Sequence, residues 1–419
     1  MNKTTLSKQK NNGGIPEGWE IKPAEEFCQR VTDGTHDSPK KQPTGRYLVT
    51  SRHLKGHNLD FDNAYFISEE DYNDINRRSK VDQWDVIFSM IGTIGDIYLE
   101  RNVSIDYVIK NVGLFKLGGD VLKGKWLYYY FQSRQAKEYI NGSRAGTTQE
   151  YMTLESLRKF PVRFPRNKKQ MEWIIGLLEC INAKIELNHQ MNKTLEQIAQ
   201  AIFKQWFVDF EFPGHEKTKF IDDLPEGWET SELRKCGQII CGKTPPTQDK
   251  ENYGFDIPFI TIPDMRGQVF VINTERKLSK KGAELQKNKT LPALSVCVSC
   301  IATPGLISLT SEVSQTNQQI NSIICQQDVS PYFMYLAMLD KSEEIKARGL
   351  GGTATLNLNT GDFAKIKITV PNRTIMNTFH EVVISIFEKL LSNARESMAL
   401  GSIRDSLLPR LMSGKIRVK

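Results

Sequence analysis

The chain has 419 residues, 39% of them hydrophobic and 25% charged, which is ample material for two or more packed domains. No run approaches the roughly 18 consecutive apolar residues of a membrane span. The net charge of +7 is compatible with a nucleic-acid partner, and seven irregularly spaced cysteines argue against a disulfide framework and for reduced thiols in the cytoplasm.

In chain order, residues 1–14 are polar and end Asn11-Asn12-Gly13-Gly14. They lack the apolar stretch of a secretory signal and are predicted to be a flexible tail. Residues 15–165 carry short β-type runs at 47–50, 86–90 and 107–117 and a helical pattern at 125–140. They read as a first α+β head. Residues 166–212 carry the strongest pattern in the chain. Ile174, Ile181, Asn188, Leu195 and Ile202 recur every seven residues, with Leu177, Met191 and Ile198 at the companion positions and Lys184 as the exception. This is the seam of a coiled coil. Some 40 residues of helix make a rod of about 60 Å, which needs another rod to cover it.

Residues 213–371 read as a second head, with runs at 258–262, 296–301 and 320–325 and a helical pattern at 331–348. Residues 372–419 supply the second long helix, with Val383, Ile386, Leu390 and Leu407 among its apolar positions. Ser397, Gly401 and Arg404 interrupt its stripe, and Pro409 is predicted to kink or end it.

The two halves repeat. Pro16-Glu17-Gly18-Trp19 returns as Pro225-Glu226-Gly227-Trp228, a shift of 225 − 16 = 209. Gly34-Thr35 faces Gly242-Lys243, a shift of 242 − 34 = 208. The run Asp85–Gly95 faces Ser295–Gly305 in the same order, Gly146-Thr147 faces Gly352-Thr353, and Phe164-Pro165 and Val370-Pro371 each open a long helix. The architecture is head, helix, head, helix. A duplicated scaffold with diverged loops suggests one task performed twice on different targets.

Gly237–Thr244 fits the G-x-x-x-x-G-K-[ST] phosphate loop letter for letter. That motif needs a helix running through its Lys and Thr, and Pro245-Pro246 opposes one. The segment reads better as a loop beside DNA phosphates. Cys297-x-x-Cys300, with Cys236 and Cys241 upstream, reads as buried strand residues rather than a zinc site. No Gly-rich methyltransferase cofactor loop, Asn-Pro-Pro-aromatic tetrapeptide, nuclease carboxylate cluster or His-based triad is found. These absences point to a non-catalytic chain with no metal and no bound cofactor.

What remains are polar and basic loops. In the first head the DNA-contact candidates are Thr35, His36, Arg52, Lys55, Arg77, Arg78, Lys110, Asn111, Arg144, Thr147, Thr148 and Gln149. In the second they are Lys243, Thr244, Arg266, Gln268, Gln315, Asn317, Gln318, Arg348 and Thr353. Arg and Lys reach guanine or phosphate, Asn and Gln pair with adenine, and Gly-loop amides approach phosphate. Two other classes compete: an NTPase using Lys243, and a scaffold or adhesin built of duplicated modules.

The paired Pro-Glu-Gly-Trp openings, the Gly-Lys-Thr-Pro loop at 242–245, the Gly-Thr loops at 146–147 and 352–353 and the Phe-Pro or Val-Pro helix entries together resemble the specificity (S) subunit of type I restriction-modification enzymes. The first half departs from the usual loop, reading Gly34-Thr35-His36-Asp37. The resemblance implies two target recognition domains, each reading half of a split, asymmetric site in double-stranded DNA. It implies two long helices packed antiparallel as the spacer. It implies two modification (M) subunits that carry S-adenosylmethionine and flip the target adenine, and restriction (R) subunits that use ATP and Mg.

Overall fold

The computed structural model describes residues 15–56, 58–146, 150–349 and 357–416. The chain divides into two compact units, Met1–Ala183 with Gly401–Lys419, and Lys184–Leu400. Each unit is a head together with part of each long helix. The helices run Lys168–Phe207 and Arg373–Met412, 40 residues apiece.

The main strands of the first unit are β1 (Trp19–Pro23), β2 (Arg30–Asp33), β3 (Arg46–Val49), β4 (Tyr65–Ile67), β5 (Val86–Ser89), β6 (Ile97–Leu99), β7 (Tyr107–Ile109), β8 (Val112–Lys116) and β9 (Pro161–Pro165). One sheet has the order β2-β8-β5-β6, with all neighbours antiparallel. A second has the order β4-β3-β7, with β3 and β7 parallel. The pair β1–β9 ties the start of the head to the strand that leads into the first long helix.

In the second unit the strands are β10 (Glu229–Glu232), β11 (Gly237–Cys241), β12 (Ile257–Ile260), β13 (Phe270–Val271), β14 (Arg276–Leu278), β15 (Val296–Ser299), β16 (Ile307–Thr310), β17 (Gln315–Thr316), β18 (Ile320–Cys325) and β19 (Lys367–Val370). The sheet β11-β18-β15-β16 repeats the four strands of the first head and adds β13 in parallel at its edge. The arrangement β14-β12-β17 repeats the smaller sheet, and β10–β19 repeats the tie.

The Pro-Glu-Gly-Trp repeat has a mechanical reason. In each copy the Trp N–H donates back to the Pro carbonyl, at 3.1 Å for Trp19 and 3.0 Å for Trp228. Gly18 and Gly227 take φ of +80° and +82°, which the third position of such a turn reserves for glycine. The turn delivers a Trp into the joint between head and helix. Trp19 meets Trp126 at 5.7 Å, in a cluster with Ile174, Ile175 and Leu178. Trp228 meets Phe212 at 4.9 Å and Phe207 at 5.6 Å.

The helices pair antiparallel within each unit. In the first, Leu408, Leu411 and Met412 share a core with Ile174 and Leu178, Leu407 packs against it, and Arg404 donates to the Asn182 Oδ1 at 3.0 Å. In the second, Phe203 and Trp206 meet Phe379 at 6.4 and 5.6 Å. There Val383 and Leu390 are buried, and Leu195, Ile202 and Ile386 are partly so. Ile181 is buried and Met191 half-buried. Ile198 is corrected: it is 45% exposed, and Ala199 takes its place inside. Asn188 is fully buried and donates to the Asn393 carbonyl oxygen at 3.4 Å and to Glu396 at 2.9 Å.

Several boundaries also differ from the sequence reading. The run 107–117 is two strands, because Asn111 breaks it with a φ of 55°. The pattern 125–140 is two helices, Val121–Phe131 and Arg134–Gly142, because Ser133 caps the second through the Ala136 N–H at 3.2 Å. The pattern 331–348 likewise splits into Pro331–Asp340 and Ser342–Gly349. Pro409 lies inside the second long helix, which continues to Met412. Among the described residues no helix is long and apolar enough to cross a membrane.

Candidate nucleic-acid interface

In each head the same set of loops converges where the two sheets meet. In the first, the loop after β2 crosses the end of β7. The Gly34 N–H donates to the Val112 carbonyl at 2.8 Å, Thr35 N–H to Ile109 at 3.1 Å, and Asn111 N–H back to Thr35 at 3.1 Å. The one-turn helix Ser51–His53 follows β3, and the Ser51 hydroxyl lies 3.5 Å from the Asn111 carbonyl. The loop after β5 completes the set. A cavity of about 550 Å³ is lined by Thr50, Ser51, Arg52, Tyr65, Ile91, Gly92, Thr93, Lys110 and Asn111.

The second head has the same frame. Gly242 N–H donates to Ile320 at 3.1 Å, Lys243 N–H to Thr316 at 3.0 Å and Asn317 N–H to Ile260 at 3.1 Å. The Thr244 hydroxyl donates to Gln318 Oε1 at 2.6 Å, and Asn317 Nδ2 to Gln319 Oε1 at 2.9 Å. The loop after β15, with Ala302 at a φ of 65°, lies beside them, since Cys300 N–H donates to the Gln319 carbonyl at 2.8 Å.

The structure thus gathers His36, Arg52, Lys110 and Asn111 in one head and Lys243, Thr244, Asn317 and Gln318 in the other. His36 is exposed but held, with Nδ1 2.9 Å from Asn111 Oδ1 and Nε2 3.0 Å from the buried Asp33. Arg78 donates to the same Asp33 at 2.6 Å, and Lys110 Nζ to Ser38. Thr35 is buried, and its hydroxyl accepts the Asp37 N–H at 3.1 Å, so it shapes the loop rather than facing out. Gln315 is corrected. It is fully buried in β17, donating to Thr290 Oγ1 at 2.9 Å and Ala283 O at 3.0 Å and accepting from Gln286 at 2.8 Å.

Other candidates are tied to partners outside the two clusters or lie on neighbouring turns. Arg77 pairs with Asp74 on the helix Glu69–Ser79, Arg144 with Glu150 and Arg348 with Glu344. Lys55 lies on a short hairpin, and Arg266 and Gln268 are exposed after the turn Ile262–Met265. Thr147, Thr148, Gln149 and Thr353 lie outside the described residues. Sequence reasoning passed over Ser51, Thr93 and Gln319, although the aligned 85–95 and 295–305 runs pointed to the loop that carries Thr93.

Neither decoy motif has its required geometry. After β11 the chain runs through Gly242–Pro246 without a helix, so nothing aims a helix N-terminus at a phosphate. Cys297 and Cys300 are buried, and burial pushes their thiols up to about 12 and about 11. Among the described residues no group of three or more His, Cys, Asp or Glu side chains is placed to hold a metal ion.

Against known proteins, a family model described as the type I restriction modification DNA specificity domain matches residues 16–197 and 225–393. Each match opens at the proline of a Pro-Glu-Gly-Trp turn. The specificity subunit of the type I restriction enzyme HindI of Haemophilus influenzae is 37% identical over 406 residues, covering 81% of this chain and 88% of that one. That of MjaIX of Methanocaldococcus jannaschii is 23% identical over 433 residues, covering 99% and 97%. The crystal structure of a type I restriction-modification S subunit from M. genitalium has a TM-score of 0.60 at 16% identity, covering 96% of this chain and 97% of that one, a likeness of fold.

Proposed function

This chain belongs to the type I restriction-modification DNA specificity family and is a specificity subunit of such a system; from that premise we propose that each head reads one half of a bipartite, asymmetric site in double-stranded DNA. One observation carries the proposal. The same backbone frame presents Arg52, His36, Lys110 and Asn111 in one head and Lys243, Thr244, Asn317 and Gln318 in the other. A shared frame with different polar tips is what two readers of different half-sites require.

In this reading the chain does no chemistry itself. Methyl transfer falls to two modification subunits carrying S-adenosylmethionine, and cleavage to restriction subunits using ATP and Mg. The chain directs both activities to the site and works in the cytoplasm. The extended Gly242–Pro246 segment supports leaving ATP to a partner. The long helices would dock the modification subunits and set the gap between half-sites.

The test is a head exchange. Residues 224–371 are replaced by the second head of a related subunit, and methylated sites are sequenced in a host carrying the assembled enzyme. One half of the motif should change and the other stay. A swap that alters both halves together would sink the model of independent readers.

A further inference from the structure

The two heads cap the same turn with different chemistry. In the second, the turn after β12 is capped by Asp264. Its Oδ2 accepts the Thr261 N–H at 2.8 Å and the Thr261 hydroxyl at 2.7 Å, and its Oδ1 accepts the Glu275 N–H at 2.9 Å. In the first, the equivalent place after β3 is held by His53, which is 2% exposed. Its Nδ1 lies 2.9 Å from the Thr50 N–H and its Nε2 3.2 Å from the Asn63 carbonyl oxygen.

The partners fix the tautomer. A backbone N–H can only donate, so Nδ1 accepts; a carbonyl can only accept, so Nε2 carries the hydrogen. Both capacities of a neutral imidazole are then used. A proton on Nδ1 would face the Thr50 N–H donor to donor and break the cap. A carboxylate at the same place accepts every bond with no tautomer to choose.

What His53 holds is the turn Ser51–His53, which presents the exposed Arg52 beside Thr93, Lys110 and Asn111. We propose that His53 is a positioning residue for Arg52, so that reading of the first half-site requires a neutral His53 and reading of the second does not. This rests on the two-reader function above.

The direction of the pH effect follows from the surroundings. Burial is the largest influence and lowers the pKa of His53. Arg52 and Lys55 lower it further, while Asp60 and the bond to Asn63 raise it. A depressed value means the neutral, capped form is fully present above the ordinary histidine range near about 6.5 and is lost as pH falls through the folded value.

The experiment uses the chain assembled with its modification subunits, binding duplexes intact or altered in one half-site, between about pH 5.5 and about pH 8. Head exchange assigns each half-site to its head. For the native complex, discrimination against an altered first half-site should fall as pH drops, by up to about tenfold per pH unit below the folded value. Discrimination at the second half-site should stay flat. His53→Asn supplies an Oδ1 acceptor near the place of Nδ1 and does not titrate. It should remove the part of the pH dependence that belongs to His53, leaving first-half discrimination flatter than in the native complex. His53→Ala should lose it at every pH, and if that variant fails to fold, His53→Asn still decides. His36 is present in every variant, so the difference from native reports His53. The same loss in His53→Asn as in native, or first-half discrimination kept by a folded His53→Ala at the upper pH, overturns this inference alone. No half-site discrimination even at the upper pH overturns the two-reader function and this inference with it.

Discussion

A Cβ on Gly34 would lie 2.4 Å from the Ile109 carbonyl oxygen, and one on Gly242 would lie 2.2 Å from that of Asn317. Both contacts are with backbone, which cannot swing aside as a side-chain tip can. These glycines let the first reading loop lie flat on the neighbouring strand, and they bring Lys110 or Asn317 level with it. Gly242→Ala should therefore displace the Lys243-Thr244 loop, at a cost of about 1–3 kcal/mol. The functional loss should fall on the second half-site, with the first still read; Gly34→Ala should do the reverse. Binding to duplexes altered in one half at a time checks this. Equal weakening at both half-sites would mean the glycines support general stability rather than their own loops. The sequence showed these glycines as the start of an aligned loop, but not why they matter. The reason is a close approach between chain segments 75 residues apart in each head (109 − 34 and 317 − 242), which no local pattern encodes.

The long helices were legible because a seven-residue repeat leaves an unmistakable trace, and the structure places their starts within two residues of the expected ones. The seam itself was less legible. A straight helix drifts by about 20° per heptad against a strict repeat. By the third heptad after Ile174 the inward face has moved from Ile198 to Ala199, Phe203 and Trp206, which meet the second head. Strands and short helices were found, but their breaks were missed where one residue decides, as at Asn111 and Ser133. Asn188 and Asn393 occupy matching positions in the two helices, since 188 − 168 and 393 − 373 are both 20. Both are fully buried, and Asn393 Nδ2 donates to Asn192 Oδ1 at 2.9 Å. Polar groups inside a seam favour one register at the expense of stability. Asn393→Leu should remove the donor to the half-buried Asn192 oxygen and destabilise by about 0.5–1.5 kcal/mol. Asn192→Leu combined with Asn393→Leu removes both partners and should recover most of that loss. Urea unfolding of the single and double variants measures the coupling. Simple additivity would show that the bond contributes nothing specific.

At the scale of the whole molecule the repeat is the main design fact: two similar heads, and two 40-residue helices that each pass through both compact units. That order was readable from Pro-Glu-Gly-Trp and the helix entries alone. What each head recognises was not, because loop side chains acquire meaning only once folded beside one another, as Thr244 and Gln318 are across 74 residues. The helices offer a direct test of the proposed spacing role. Four residues inserted between Thr194 and Gln197 lengthen the first helix by about 6 Å. One base pair rises about 3.4 Å, so the gap between half-sites should grow by about one to two base pairs. The half-sites themselves should not change, because no reading loop is altered. Four residues turn the helix by about 400°, close to a full turn, so Ala199, Phe203 and Trp206 still face Phe379 and the second head. Two residues turn it by about 200° and would carry those side chains to the solvent side. The two-residue variant should therefore lose both stability and activity. Sequencing the methylated sites of the four-residue variant decides the matter: an active enzyme with an unchanged gap would mean that the helices do not set the spacing.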